Sequence, residues 1–183
     1  MKLFSVLSCA AAATLVACGG SGPAPYLTLD GTRPLVLGHR GSAGYLPDHT
    51  LEGYRLAIQN GADFIEPDLV ASADGVLYAR HDLFLSRSTD VASHVEFAAF
   101  KRPGPDGVLD WWIDDFTSAQ LDTLRAIQPW PQRPHHRDGS FRLPRFSEVL
   151  ALLRQERARR ERPLLVYPEL KHPEYFRARG IDV

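Results

Sequence analysis

The sequence has 183 residues, and its 21 lysines and arginines nearly balance its 22 aspartates and glutamates. This balance excludes a global electrostatic field that would attract nucleic acid or anionic lipid, so no nucleic-acid partner is predicted. The length and composition are typical of one globular domain. Fourteen prolines and fourteen glycines indicate long structured loops rather than a compact helical bundle.

The first eighteen residues are typical of a segment for export. Lys2 precedes the apolar run 3–17, which is too short to span a membrane comfortably. The run ends Leu15-Val16-Ala17-Cys18 and resembles a bacterial lipobox, in which Cys18 is lipidated. A plain secretory peptide cleaved after Ala17 is the alternative.

These features divide the chain into a signal peptide with lipobox (1–18), a flexible tether (19–33) and a folded domain (34–183). They predict a protein of the bacterial cell envelope, either secreted, periplasmic or held on the membrane through a lipid on Cys18.

The domain begins with a strand and a helix. The apolar run 35–37 ends at Gly38-His39-Arg40-Gly41, which is typical of a buried strand that breaks into a loop. Thr50 is a favourable N-cap, and apolar residues follow it at helical spacing until Gly61.

Two further strands are predicted, from Phe64 to Val70 and from Val76 to His81. Asp74-Gly75 between them is typical of a hairpin turn, whereas a parallel barrel needs a longer crossover. A hairpin would place Asp68 roughly opposite His81, and an extended return would still bring both residues to the same end of the sheet.

Residues 86–143 are rich in Pro, Gly, Asp and Trp, which predicts a functional lid or an inserted subdomain. Thr117 and Gln120 form a capping box for one short helix there. An amphipathic helix follows from Phe146 and is expected to be closed by Pro163. A fourth strand, 164–167, leads into Glu169. Helices followed by buried strands predict an α/β layer or barrel.

Three acidic residues in these strands have the pattern of a metal site. Glu66 and Asp68 are two residues apart in a strand, so their side chains leave the same face, and their repulsion requires a cation if they are buried. Glu169 repeats the pattern from another strand. Three hard oxygen donors favour Mg²⁺ or Ca²⁺ over zinc. The alternative is three solvated carboxylates at strand ends.

Two histidines at strand ends supply complementary chemistry. His39 and His81 can act in turn as acid and base near neutral pH. Arg40 offers a bidentate fork for phosphate oxygens, and Asp82 can orient a neighbour by accepting a hydrogen bond. Lys171 lies on the same strand face as Glu169.

The whole set, in order and at these separations, resembles the glycerophosphodiester phosphodiesterase family, and most closely its periplasmic bacterial branch. The matching runs are His39-Arg40-Gly41, Pro47-Asp48-His49-Thr50, Glu66-Pro67-Asp68, Asp74-Gly75, His81-Asp82 and Glu169-Leu170-Lys171.

The resemblance implies a TIM (β/α)8 barrel, of which this chain holds the N-terminal half with a loop-rich insertion at about 86–143. It implies that His39 and His81 are the general acid and base. It also implies that Ca²⁺ or Mg²⁺ is bound by Glu66, Asp68 and Glu169. Arg40 is expected to bind the substrate phosphate, and Lys171 is expected to assist in binding it. The expected substrate is a small glycerophosphodiester, and the expected products are sn-glycerol 3-phosphate and an alcohol.

Several alternatives stay open at this point. Water or the substrate's own glycerol hydroxyl can be the attacking group. Because 183 residues are fewer than a barrel requires, we expect a C-terminally truncated chain whose own activity is uncertain. A related lipid phosphodiesterase, phospholipase D-like in activity, and an inactive envelope lipoprotein are the alternative functions.

Overall fold

A computed structural model describes residues 26–183. The predicted signal peptide, Cys18 and the first part of the tether lie outside the described residues and stay predictions. Leu35–Val183 form one compact unit. Within residues 26–183, no helix has both the length and the apolar character needed to cross a membrane.

The regular elements of this unit follow one another as strands, helices and short 3₁₀ turns. The strands are β1 (Leu37–His39), β2 (Phe64–Glu66), β3 (Asp68–Ala71), β4 (Leu77–Ala79), β5 (Arg102–Pro103), β6 (Leu109–Asp110), β7 (Leu165–Val166) and β8 (Glu169–Leu170). The helices are α1 (Leu51–Gln59), α2 (Ser118–Leu121), α3 (Phe146–Arg157) and α4 (Pro173–Ala178).

The centre of the fold is one long strand that Pro67 divides into β2 and β3. Parallel strands flank its first half in the order β1-β2-β7, and the order around its second half is β4-β3-β8. The predicted strand 64–70 is thus interrupted, because proline has no N–H to donate to the ladder. The ladder on the other side is unbroken, since the Glu169 N–H donates to the Pro67 carbonyl at 2.9 Å.

The connection through Asp74-Gly75 is a hairpin, because β3 and β4 are antiparallel. Leu69 pairs with Ala79, so Asp68 lies opposite Arg80 rather than opposite His81 as the sequence suggested. Asp74 accepts hydrogen bonds from the hydroxyl of Ser72 (2.6 Å) and from the backbone and hydroxyl of Ser118 (both 2.8 Å). The hairpin turn is thereby fixed to the start of α2.

Helices α1 and α3 pack against this sheet. The predicted N-cap is confirmed: the Thr50 hydroxyl accepts from the Gly53 N–H at 3.1 Å, and α1 ends just before Gly61, whose φ is +96°. Apolar side chains of both helices and the strands form a buried cluster of Tyr54, Ile58, Ile65, Ala79, Val149, Leu152, Leu153 and Leu164. Helix α3 ends at Arg157, well before Pro163, since no buried apolar residue follows Leu153 within it.

Residues 86–143 are ordered around a second buried cluster, which they share with the β3–β4 hairpin. The predicted capping box of Thr117 and Gln120 is confirmed at the start of α2. Trp111, Trp112, Phe97 and Phe116 are buried there together with residues of the β3–β4 hairpin. This segment therefore packs against the β3–β4 hairpin, close to the strand ends that carry the polar residues.

Candidate active site

Strand register brings the predicted site residues together from two directions. His39, at the end of β1, pairs with Glu66 of the parallel strand β2. Strand β4 runs the opposite way and ends at Ala79, after which the Arg80 N–H donates to the Asp68 carbonyl at 2.9 Å. The loops that carry His39 and His81 therefore meet beside Asp68.

The three predicted acidic residues converge. Asp68 pairs with Glu169 in the parallel register of β3 and β8. Glu66, Asp68 and Glu169 each offer a carboxylate oxygen, and these three oxygens lie within 4.8 Å of one another. Glu66 and Asp68 are only 3 % and 0 % exposed, whereas the Glu169 side chain is 53 % exposed. Two of the three are thus not solvated strand-end carboxylates, which excludes that alternative for them.

The two buried carboxylates have opposite pKa shifts. Burial, followed by the negative charge of Asp68, raises the pKa of Glu66. Burial alone would also raise the pKa of Asp68, but the hydrogen bond from His49 and the nearby Lys171 ammonium outweigh it and lower this pKa to about 2. Asp68 is therefore ionised at every physiological pH, and a cation close to both groups would favour the ionised form of Glu66 as well.

The donor set fits a hard divalent cation. All three candidate ligands are carboxylates, and Asp68 Oδ1 is buried with a lysine ammonium as its charged partner. Lys171 Nζ lies 3.1 Å from this oxygen and 2.6 Å from Glu169 Oε1. Oxygen ligands of this kind are those that Ca²⁺ and Mg²⁺ prefer in proteins.

The two histidines differ in their surroundings: His39 lies next to Glu66, and His81 lines a small cavity with Arg40 and His49. His39 Nε2 lies 3.9 Å from Glu66 Oε2, and its side chain is 63 % exposed. His81 Nδ1 lies 2.6 Å from Asp82 Oδ1, as expected for a carboxylate that orients an imidazole. Burial opposes ionisation of Asp82, but the hydrogen bond from His81 outweighs it and lowers the pKa of Asp82. This contact leaves His81 Nε2 for another partner.

Arg40, the predicted phosphate-binding residue, is held at the same place by its backbone and its neighbours. Its N–H donates to the Glu66 carbonyl at 3.0 Å. Its guanidinium lies 3.4 Å from Asp48 Oδ2 and 3.4 Å from Asp68 Oδ2. The following Gly41 has φ +84°, and a Cβ there would lie 2.8 Å from the backbone of Gly53. Only glycine lets this loop pack so closely on α1.

The sequence reasoning gave no role to His49, which the structure places in direct contact with Asp68. His49 is buried, and its Nε2 and Nδ1 lie 3.0 Å from Asp68 Oδ2 and 2.8 Å from the Tyr54 hydroxyl. Burial lowers the pKa of His49, so the ring is neutral. Because a carboxylate only accepts, Nε2–H donates to Asp68 and Nδ1 accepts from the hydroxyl of Tyr54. The sole sequence signal was the run Pro47-Asp48-His49-Thr50 itself.

Arg80 and Arg87 also reach the site without having been predicted. Arg80 is buried, and its guanidinium donates to the carbonyls of Asp82 (3.4 Å) and Phe84 (2.7 Å), which fixes the loop that carries His81. Burial lowers the pKa of Arg80 to about 10, so it stays charged at neutral pH. Arg87 stacks over Trp130 with 4.4 Å between its guanidinium carbon and the ring centroid, and it lines a small cavity together with Arg40 and His81.

Backbone strain is concentrated at these positions. Among the described residues, the non-glycine residues with positive φ are Arg40 (58°), His49 (60°) and His172 (49°). The first two belong to the site, and the third follows Lys171 directly. Each left-handed residue of this kind costs on the order of 1–2 kcal/mol. Such strain is typical of functional positions that the surrounding fold holds in place.

Comparisons with known proteins agree with this constellation. The sequence profile described as the Glycerophosphoryl diester phosphodiesterase family matches residues 39–179. A glycerophosphodiester phosphodiesterase of Arabidopsis thaliana is 40 % identical over 151 residues, which cover 81 % of this chain and 40 % of that protein. One from Haemophilus influenzae is 30 % identical over 195 residues, covering 100 % of this chain and 52 % of the relative. The chain thus spans about half the length of the curated relatives it matches.

Solved structures give the same result. The glycerophosphodiester phosphodiesterase of Agrobacterium tumefaciens aligns with a TM-score of 0.55 and 28 % identity, over 80 % of this chain and 51 % of that one. A phosphodiesterase of Oleispira antarctica in complex with the product sn-glycerol-3-phosphate aligns with a TM-score of 0.57 and 27 % identity. The alignment covers 78 % of this chain and 47 % of that one. The predicted fold class, part of a TIM barrel, is confirmed. From its sequence, its fold and its site, this chain belongs to the glycerophosphoryl diester phosphodiesterase family.

Proposed function

We propose that the protein hydrolyses small glycerophosphodiesters to sn-glycerol 3-phosphate and an alcohol, in a reaction that depends on a divalent cation. The observation that carries the proposal is the convergence of Glu66, Asp68 and Glu169 beside His39, with His81 in a cavity that it shares with Arg40 and His49. The Oleispira antarctica structure, which holds sn-glycerol-3-phosphate, supports the same substrate class.

The cation is proposed to be Ca²⁺ or Mg²⁺, held by Glu66, Asp68 and Glu169. When bound, it would neutralise negative charge on a non-bridging phosphate oxygen. Lys171 Nζ lies close to the carboxylates of Asp68 and Glu169, so its ammonium adds a second positive charge beside the phosphate site.

The side chains around the carboxylates have distinct proposed roles. Arg40 presents a guanidinium fork to the phosphate oxygens. His39 and His81 transfer protons to and from the leaving and attacking oxygens, with His81 oriented by Asp82. The attacking oxygen belongs either to water or to the substrate's glycerol hydroxyl. An envelope location with lipid on Cys18 stays a prediction from the sequence alone.

Turnover of glycerophosphocholine by the whole protein tests this function. We expect release of sn-glycerol 3-phosphate, measured with a coupled dehydrogenase, to stop in excess EDTA and to return when Ca²⁺ or Mg²⁺ is added. Adding each cation separately identifies the effective one. Full activity in EDTA, or no glycerol 3-phosphate from any glycerophosphodiester with either cation, would contradict the proposal.

A parallel assay addresses the lipid substrates of the alternative function. The whole protein is supplied with lysophosphatidylcholine under the same conditions, and released choline is measured. We expect slower turnover than with glycerophosphocholine. Preferential release of choline from the lysophospholipid would assign the phospholipase D-like activity instead.

A further inference from the structure

His49 occupies a position that neither metal ligation nor proton transfer to substrate accounts for. Its ring is buried, so it has no access to solvent. Its two nitrogens are both engaged, one with Asp68 Oδ2 at 3.0 Å and the other with the hydroxyl of Tyr54 at 2.8 Å. The ring therefore links helix α1 to the central acidic residue of the site.

The two oxygens of Asp68 have different surroundings. His49 Nε2 and, at 3.4 Å, Arg40 Nε lie next to Oδ2. Lys171 Nζ lies 3.1 Å from Oδ1 and 2.6 Å from Glu169 Oε1, so Oδ1 is on the side of the other carboxylates. Oδ1 is buried and is paired with the Lys171 ammonium. The contacts thus hold one oxygen in place and direct the other toward the proposed cation.

The backbone of His49 also makes a hydrogen bond within the site. Its N–H donates to the Arg40 carbonyl at 3.0 Å, which links the two left-handed residues of the site. Thr50 follows immediately, and its hydroxyl accepts a hydrogen bond from the Gly53 N–H at the start of α1. This arrangement fixes the direction in which the imidazole leaves the chain.

We propose that His49 is a positioning residue that orients Asp68, with Tyr54 fixing its tautomer, so that Asp68 Oδ1 points at the divalent cation. This inference rests on the proposed metal site. Groups that hydrogen-bond to metal ligands commonly contribute 10–100-fold to metal affinity, on the order of the effect expected here.

The test is the dissociation constant of Mn²⁺, measured by calorimetry on the chain and its variants, with unfolding temperatures recorded in EDTA. We expect His49→Leu to weaken binding about 10–100-fold. The side chain of His49→Gln keeps an N–H donor that can reach Asp68, so this variant should retain most of the affinity for Mn²⁺. Tyr54→Phe removes a single oxygen and should weaken binding by less than His49→Leu, with little change in fold.

The outcomes separate this inference from the proposed function. If the parent chain binds no Mn²⁺, the metal site itself is wrong, and the role of His49 is overturned with it. If the parent binds Mn²⁺ and His49→Leu binds equally tightly, only the role of His49 is wrong. Equal losses in His49→Leu and His49→Gln would also overturn it, because packing would then be the cause. Should His49→Leu not fold, Tyr54→Phe decides the question: weakened Mn²⁺ binding supports the inference, and Mn²⁺ affinity equal to that of the parent overturns it.

Discussion

Replacing either His39 or His81 by alanine is expected to reduce turnover of glycerophosphocholine about 10²–10⁴-fold, the usual contribution of a general acid or base. The His39 imidazole lies 3.9 Å from Glu66, and His81 lines a small cavity together with Arg40. The Asp82 carboxylate, 2.6 Å from His81, keeps that ring in one orientation. If the two act on the same phosphate as proposed, the loss in the double variant should be smaller than the product of the single losses.

The leaving group distinguishes the acid from the base. The p-nitrophenyl diester of glycerol 3-phosphate needs no proton on its leaving oxygen, so the variant that lacks the acid should regain activity on it and the other should not. His135→Ala is the matched control, since His135 lies exposed in a loop and contacts Asp138. Turnover at the parental rate in His39→Ala or His81→Ala would show that the residue has no part in proton transfer.

Replacing Asp68 by asparagine is expected to weaken the binding of Ca²⁺ or Mg²⁺ by at least about 100-fold. Groups that only hydrogen-bond to a metal ligand commonly contribute about 10–100-fold to metal affinity, and the loss of a ligand should reach at least the upper end of that range. The change removes one of three negative charges and keeps the size of the side chain. Turnover at limiting metal should fall in parallel and recover partly at high metal concentration. Both quantities are measured by titrating the whole protein with metal.

Asp74 provides the control for this change. Hydrogen bonds from Ser72 and Ser118 lower its pKa to about 2, as for Asp68, but it lies in the hairpin turn and holds α2. Asp74→Asn should therefore lose stability while keeping its metal affinity. Equal metal affinity in Asp68→Asn and the parent would contradict the assignment of Asp68 as a ligand.

Much of this site could be predicted because its signals are local. The two-residue spacing of Glu66 and Asp68 predicts that both carboxylates lie close together, and they do although Pro67 divides the predicted strand into β2 and β3. Parallel pairing with β8 adds Glu169. The N-cap at Thr50 and the capping box at Thr117 depend only on side chains within one helical turn. These predictions are confirmed because no distant contact opposes them.

The features that sequence reasoning missed depend on contacts between distant residues. His49 contacts Asp68, 19 positions away, from a left-handed backbone conformation. The register of β4 differs by one residue from expectation because the turn after Ser72 sets it. Strand β4 ends at Ala79, since the guanidinium of Arg80 turns back to the carbonyls of its own loop.

The central claim is that Glu66, Asp68 and Glu169 bind one divalent cation, and locating that ion is its most direct test. Crystals grown with Ca²⁺ would be measured at long wavelength, where calcium scatters anomalously. We predict one peak with a carboxylate oxygen of each residue at about 2.3–2.6 Å. A calcium site elsewhere, or clear density showing these three carboxylates turned away from one another, would contradict the account.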